Sequence, residues 1–263
     1  MTDKIQLLDS ITDATASTAG QIVVSGSHGG FYPAAVASGA GAQAVLFNDA
    51  GIGLGQAGVA GVLALADIGM AAAGVDCQSC EIGSAADTLE NGVISVVNTV
   101  AKTLGITAGM PVATAVTLLE TAPMPQGKLP PYPEARQSVL IGAVSVELLD
   151  SASLVGPQDI GKIVITGSHG GLIGGNPARA IKAPVRIAVF NDASFGKGNI
   201  GISRLPALDA RDIAAVTVSC QTARIGDAKS ALETGVISAM NEAAQAQGAE
   251  TDTPLAAWLA TLG

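Results

Sequence analysis

Hydrophobic positions in this chain come in short unbroken blocks. Ile22-Val23-Val24, residues 44–47 and residues 70–75 are apolar throughout, the pattern expected of strands buried on both faces. Matching blocks follow at 163–165, 187–190 and 213–218. Between the second and third blocks, residues 57–68 have the length of a helix, with Gly69 placed to stop it. Beyond the third block, Val93, Val97, Val100 and Leu104 share one face at helical spacing, which predicts a helix over 93–104. Thr253-Pro254 reads as a cap followed by a proline at the first position of a last helix containing Trp258. The first few residues of each half fit strand and helix equally well. This alternation of strand and helix predicts an α/β fold of mostly parallel sheets covered by helices.

The blocks belong to an internal repeat. Leu7-Leu8-Asp9-Ser10 returns as Leu148-Leu149-Asp150-Ser151, and Gly26-Ser27-His28-Gly29-Gly30 returns as Gly167-Ser168-His169-Gly170-Gly171. Phe47-Asn48-Asp49-Ala50 returns at 190–193, Cys77-Gln78 at 220–221, and residues 89–95 at 232–238, with Asn98 matched by Asn241. The histidines are 141 residues apart and Asp49 and Asp192 are 143 apart, so a two-residue insertion lies between. So long a period marks a duplicated domain-sized unit rather than a solenoid. Five prolines between 123 and 133 forbid helix and favour an extended strap. The expected organisation is a first α/β repeat over 1–122, a proline-rich linker over 123–137 and a second α/β repeat over 138–263. The two would be tandem three-layer units related by a pseudo-twofold axis.

Composition narrows the function. Of 263 residues, 48 % are hydrophobic, 13 % charged and 3 % aromatic, and the net charge is −9. A nucleic-acid partner is not expected, because such binding needs clustered Lys and Arg. No run of about 18 apolar residues suggests a membrane span, and Met1-Thr2-Asp3-Lys4 lacks the layout of a signal peptide. Three cysteines are too few for a disulfide framework, which suggests a cytoplasmic protein. High apolarity with low charge suggests a homo-oligomer.

Candidate chemistry gathers where the repeated polar residues follow strands: Ser-His-Gly-Gly after the first, Asn-Asp-Ala after the second, Cys-Gln after the third. In parallel α/β sheets ligands bind beyond the carboxyl ends of strands, so these tips are expected to converge on one pocket. His28 and His169 are the chain's only histidines. Oriented by Asp49 and Asp192, they are expected to act as general acid or base. Ser27, Ser168, Cys77 and Cys220 are the candidate nucleophiles or hydrogen-bond donors. The amides of Gly29, Gly30, Gly170 and Gly171 are candidates to stabilise an oxyanion, and Asn48 and Asn191 to bind substrate. The usual Ser-His-Asp triad fails on chain order, since no histidine follows His169.

Cys77-x-x-Cys80 has zinc-like spacing, but Ala223 replaces the second cysteine in the other half, and no metal site is expected. Gly53-x-Gly55-x-x-Gly58 and Gly196-x-Gly198-x-x-Gly201 follow strands as a dinucleotide fingerprint would. Extra residues precede the first glycine, and Ser219 stands where Asp76 does. Backbone amides there remain candidates for an anion, with Lys197 assisting. Glu81 answers to Arg224, which makes the Arg224 side the candidate for a carboxylate, or the two would pair if their sites adjoin.

The leading expectation is an enzyme, hydrolase or related acid–base catalyst, acting on a small polar metabolite that bears a carboxylate or amide. No cofactor is strongly implied. The alternatives are a non-catalytic binding or assembly subunit of a homo-oligomer and a nucleotide-binding protein.

Overall fold

The computed structural model describes residues 4–263; the expectation that Met1-Thr2-Asp3 carries no signal sequence lies outside the described residues. The first half runs β1 (Ile5–Leu8), β2 (Ile22–His28), α1 (Phe31–Gly39), β3 (Ala44–Asn48), α2 (Ala60–Ala64), β4 (Ala71–Val75), α3 (Ala85–Asn91), β5 (Ile94–Val97), α4 (Thr99–Thr103) and α5 (Val112–Leu119). The second runs β6 (Arg136–Ile141), β7 (Val144–Leu149), β8 (Ile163–His169), β9 (Ile187–Asn191), α6 (Arg204–Asp209), β10 (Ala214–Val218), α7 (Ala228–Thr234), β11 (Ile237–Met240), α8 (Glu242–Gln245) and α9 (Leu255–Ala260). Each half holds its own sheet, in the orders β1-β2-β3-β4-β5 and β11-β10-β9-β8-β7-β6. β1 to β4 are parallel and β5 antiparallel; β7 to β10 are parallel, with β11 and β6 antiparallel at the two edges. The chain is therefore an α/β protein of two mostly parallel, helix-covered units.

Period-2 alternation places each strand's side chains on both faces. Ile22, Val24, Ala44, Leu46, Ala71 and Ala73 face a layer built from α4 and α5. Val23, Val45, Phe47 and Ala72 face α1 and α2. The second half repeats the plan, with Trp258 of α9 in one core and Phe190 in the other. Burying each of these ring systems contributes about 2–3 kcal/mol.

Two predicted elements differ. Residues 94–97 form a strand, not the start of a helix, because Ile94, Val96 and Val97, β-branched residues, pair antiparallel with β4, while Val93 bridges to Pro111. Helix begins only at α4, where the Asn98 side chain accepts the Ala101 N–H at 2.9 Å. The stretch 57–68 is helical only from Ala60, and Gly69 stops it in the left-handed region, as its position suggested. The initial residues of both halves are strands. After the proline-rich stretch, Arg136 starts β6, which turns back onto β7 through Gly142-Ala143, with Gly142 at φ 59°. Among the described residues the first sheet has no equivalent of β6, so β1 is left as an edge.

The halves join along a seam with twofold logic. Leu54 N–H donates to Cys220 O and Lys197 N–H to Cys77 O, both at 2.8 Å. Ala50, Ile82, Ala193 and Ile225 form a small apolar core there, and each residue is matched by its repeat counterpart. Gly51 has φ 72°, and a Cβ added to it would stand 2.3 Å from that of Ser194. Only glycine lets the two halves approach so closely.

Candidate functional site

The tips of β1, β2, β7 and β8 surround a cavity of about 370 Å3. Its walls are tied to the strands by repeated bonds. Ser27 Oγ accepts the Ile11 N–H and Ser168 Oγ the Ala152 N–H, each at 2.9 Å. The acid of each Leu-Leu-Asp-Ser segment reaches a helix N-terminus, that of α3 or α7, where a carboxylate is stabilised by free amides. Asp9 Oδ1 accepts from Ala85 N–H at 2.9 Å, and Asp150 Oδ1 from Ala228 N–H at 3.1 Å. These bonds bring Ser27, His28, Ser168 and His169 to one space.

His28 Nδ1 accepts the Gly30 N–H at 3.2 Å, which places the ring proton on Nε2. Burial pulls the His28 pKa down to about 4. His169 lies well below its ordinary value, through burial first, then the charges of Arg204 and His28. Its Nδ1 is buried and faces the Gly171 N–H, which opposes that shift. At neutral pH both imidazoles are therefore uncharged, each with one N–H and one lone pair.

Four cavity groups, Arg204, Glu134, Tyr32 and Tyr132, escaped the reading of the sequence. Arg204 is 3 % exposed. Its Nε donates to Gly171 O at 3.0 Å, its Nη1 donates to Ala180 O at 2.6 Å, and its Cζ lies over the Phe190 ring, 4.9 Å from the centroid. Burial and then Arg179 pull its pKa down to about 10, so it keeps its charge at neutrality. Glu134 enters from the strap, its carboxyl raised chiefly by burial. It lies beside the Tyr32 hydroxyl, whose pKa burial and then Glu134 push up to about 12. Tyr132 of the strap stacks on Phe31, ring centres 6.0 Å apart. The repeat held a signal for Arg204: at the 143-residue offset its counterpart is Gly61. The strap carries no repeat counterpart, and so gave none for Glu134.

The remaining residues from the sequence reading sit elsewhere. Asp49 and Asp192 do not orient the histidines. Asp49 Oδ1 accepts the amides of Gly51 and Cys77 at 2.9 and 3.1 Å. Asp192 Oδ1 accepts those of Ser194 and Cys220, both at 2.9 Å. Cys77 and Cys220 lie on the seam, outside the cavity lining, beside these carboxylates. Burial, then the adjacent Asp, pushes their thiols up to about 12 and 11, opposite to what a nucleophile needs. The three strand tips thus divide between cavity and seam, because the seam claims the ends of β3, β4, β9 and β10.

Asn48 and Asn191 are buried and close local turns onto Ala50 and Ala193 N–H at 2.9 and 3.0 Å. Gly29 and Gly170 amides bond Asn48 O and Asn191 O at 3.0 and 2.8 Å, and the Gly30 amide is on His28. Arg224 is exposed, and its Nε would lie 3.3 Å from a Cβ on Gly55. It does not pair with Glu81. Lys197 Nζ instead bonds Asp87 across the seam at 2.7 Å. In the glycine loops, the amides of Gly53, Leu54, Gln56 and Gly58, and of Gly196, Lys197, Asn199 and Gly201, all bond protein carbonyls. Asp49, Asp76 and Cys77 bring three potential metal-ligand atoms within 4.8 Å of one another. Asp49 Oδ1 and Asp76 Oδ1 are already taken by backbone amides.

Compared with protein-family models, curated proteins and solved structures, the chain matches none. The cavity's own chemistry therefore carries the functional argument. It offers a fixed cation, two neutral imidazoles, serine hydroxyls and a carboxyl of raised pKa. Together these can hold a small anion and move a proton on it.

Proposed function

We propose that this protein is an enzyme acting on a small polar metabolite bearing a carboxylate or amide, by hydrolase-type or related acid–base chemistry in the cavity between the halves. The carrying observation is that one cavity gathers both histidines of the chain and a buried arginine. Each neutral imidazole serves as a hydrogen-bond donor or weak base. The serine oxygens accept backbone N–H groups, which leaves each hydroxyl proton for a substrate oxygen. Glu134 has a pKa moved toward the working pH and is the strongest acid–base candidate. The cysteines and the two seam aspartates take no part in the chemistry.

The test is a panel of small carboxylates, amides and esters, assayed for hydrolysis and for solvent-deuterium exchange, with wild type and the His28→Ala/His169→Ala double variant. Turnover that falls at least a hundredfold in the double variant supports the reading. Turnover unchanged in that variant removes it.

We also place a second copy of this chain against the β1 edge. In the second half β6 covers the equivalent strand. In the first, that position is a groove lined by Ile5, Leu7, Leu89 and Val116, with Leu7 40 % exposed. Mass measurement in solution should give a dimer that Leu7→Lys dissociates; a monomeric wild type would refute it. Three free, buried thiols suit a reducing compartment, and we assign the protein to the cytoplasm. No helix among the described residues is long and apolar enough to cross a membrane.

A further inference from the structure

The two halves treat the space beside their histidines differently. Gly61 and Arg204 are repeat counterparts, and their backbones do the same thing: Gly61 N–H donates to Gly29 O at 2.9 Å, and Arg204 N–H to Gly170 O at 2.8 Å. In the first half, α1 packs directly over this position. A Cβ on Gly61 would stand 2.1 Å from Gly30 O and 2.6 Å from the Ala34 Cβ, so no side chain fits. In the second half, the helix is replaced by two short turns, Ile173–Gly175 and Pro177–Arg179, around Gly174 at φ 61°. The Arg204 side chain fills the vacated space.

That arginine is nine-tenths buried and lacks a counter-ion. None of the ion pairs among the described residues includes it. Nε and Nη1 are held by main-chain carbonyls, and Nη2 has no acceptor. Buried charges are ordinarily paired, because desolvating a lone cation is costly. The same wall holds His169. A buried, unpaired cation on a cavity wall describes a ligand of complementary charge. The basic lining residues Arg179 and Lys182 come from this half as well, whereas Tyr32 and Asp13 come from the first. Arg179 is paired with Asp13 at 3.4 Å and Lys182 is exposed to solvent, so the buried unpaired charge is Arg204.

We propose that Arg204 forms a carboxylate-binding subsite, so that the duplicated cavity takes one small carboxylate ligand in one orientation. Its anionic end lies against Arg204 and its remainder lies between the two imidazoles. This deepens the acid–base reading by naming the substrate class, and rests on that reading only for what happens after binding. A planar guanidinium with a free edge matches a carboxylate better than a point charge does. The subsite lies across the molecule's pseudo-dyad from α1, so the second half anchors and the first completes the site.

The chain's two histidines make the test direct. Protein labelled with nitrogen-15 in its histidines is titrated at pH 7 with sodium acetate, with acetamide as neutral isostere and sodium chloride at equal ionic strength as control. Acetate should move the His169 imidazole resonances saturably, and acetamide should bind at least tenfold more weakly. Arg204→Gln should weaken acetate at least tenfold, and Arg204→Lys by less. Acetate and acetamide binding alike, no saturable shift with acetate, or acetate affinity unchanged in Arg204→Gln would each overturn the subsite. If Arg204→Gln does not fold, the comparison of acetate with acetamide on wild type decides alone. Carboxylate binding without histidine-dependent turnover would leave the subsite standing and remove the enzyme. Turnover of neutral substrates without carboxylate binding would do the reverse.

Discussion

Lowering the pH from 7 to 5 should destabilise this protein before its carboxylates matter. His28 has a folded pKa of about 4 against 6.5 for the ordinary group. The unfolded chain therefore binds more protons through that window, and stability falls as pH falls through it. For His28 alone, linkage gives a loss of about 2 kcal/mol between pH 7 and 5, reduced to about 1–2 kcal/mol because one edge of the ring meets cavity solvent. His169 shifts in the same direction and adds to it. Asp87, Glu147 and Asp159 have pKa values below 3.8, 4.5 and 3.8 respectively, so the stability they contribute is lost only at lower pH. Glu134, raised by burial, opposes the histidines by favouring its protonated form in the fold. Thermal melts in matched ionic strength at pH 7, 6 and 5 read the balance. At about 2–4 °C per kcal/mol for a chain of this size, the midpoint should drop by several degrees. The drop should shrink by at least half in His28→Gln/His169→Gln. A midpoint constant between pH 7 and 5, or an equal drop in the double variant, would show that burial does not hold the imidazoles neutral.

In the native protein at pH 8, Cys77 and Cys220 should resist iodoacetamide for hours and react only in denaturant; fast native alkylation would return them to the list of nucleophiles. Asn98→Ala should cost about 3 kcal/mol in urea titrations, since it removes a helix cap and strands the Val62 and Met70 carbonyls and the Ala72 N–H in the core. A loss under about 1 kcal/mol would mean these groups find other partners. Gly61→Ala should displace α1, seen as faster amide exchange across Ala34 and Ala37. Exchange unchanged there would contradict the steric reading of this position.

The fold was legible because burial imposes a pattern. Uninterrupted apolar blocks marked β2, β3, β4, β8, β9 and β10, and the repeat showed that one plan was used twice. The miss at 94–97 has a physical cause: a stretch rich in β-branched residues can satisfy helical spacing by coincidence, and only pairing with β4 decides it. At the site, the repeated Ser-His pair lies in the cavity. Asp9, Asp49, Asn48 and Asn98 recur because each holds backbone amides in both halves, so their repetition reports architecture. The most informative site position is where the repeat breaks, with Gly61 against Arg204. Symmetry draws attention to what the halves share, but the cavity's charge comes from what they do not share.

The most direct measurement is a crystal structure with the carboxylate that gives the best turnover or binding from the panel. The account requires that ligand in the cavity between the halves, its carboxylate against Arg204 and its other end between His28 and His169. Density at the glycine loops of the seam or in the β1 groove, with the cavity holding solvent alone, would contradict it.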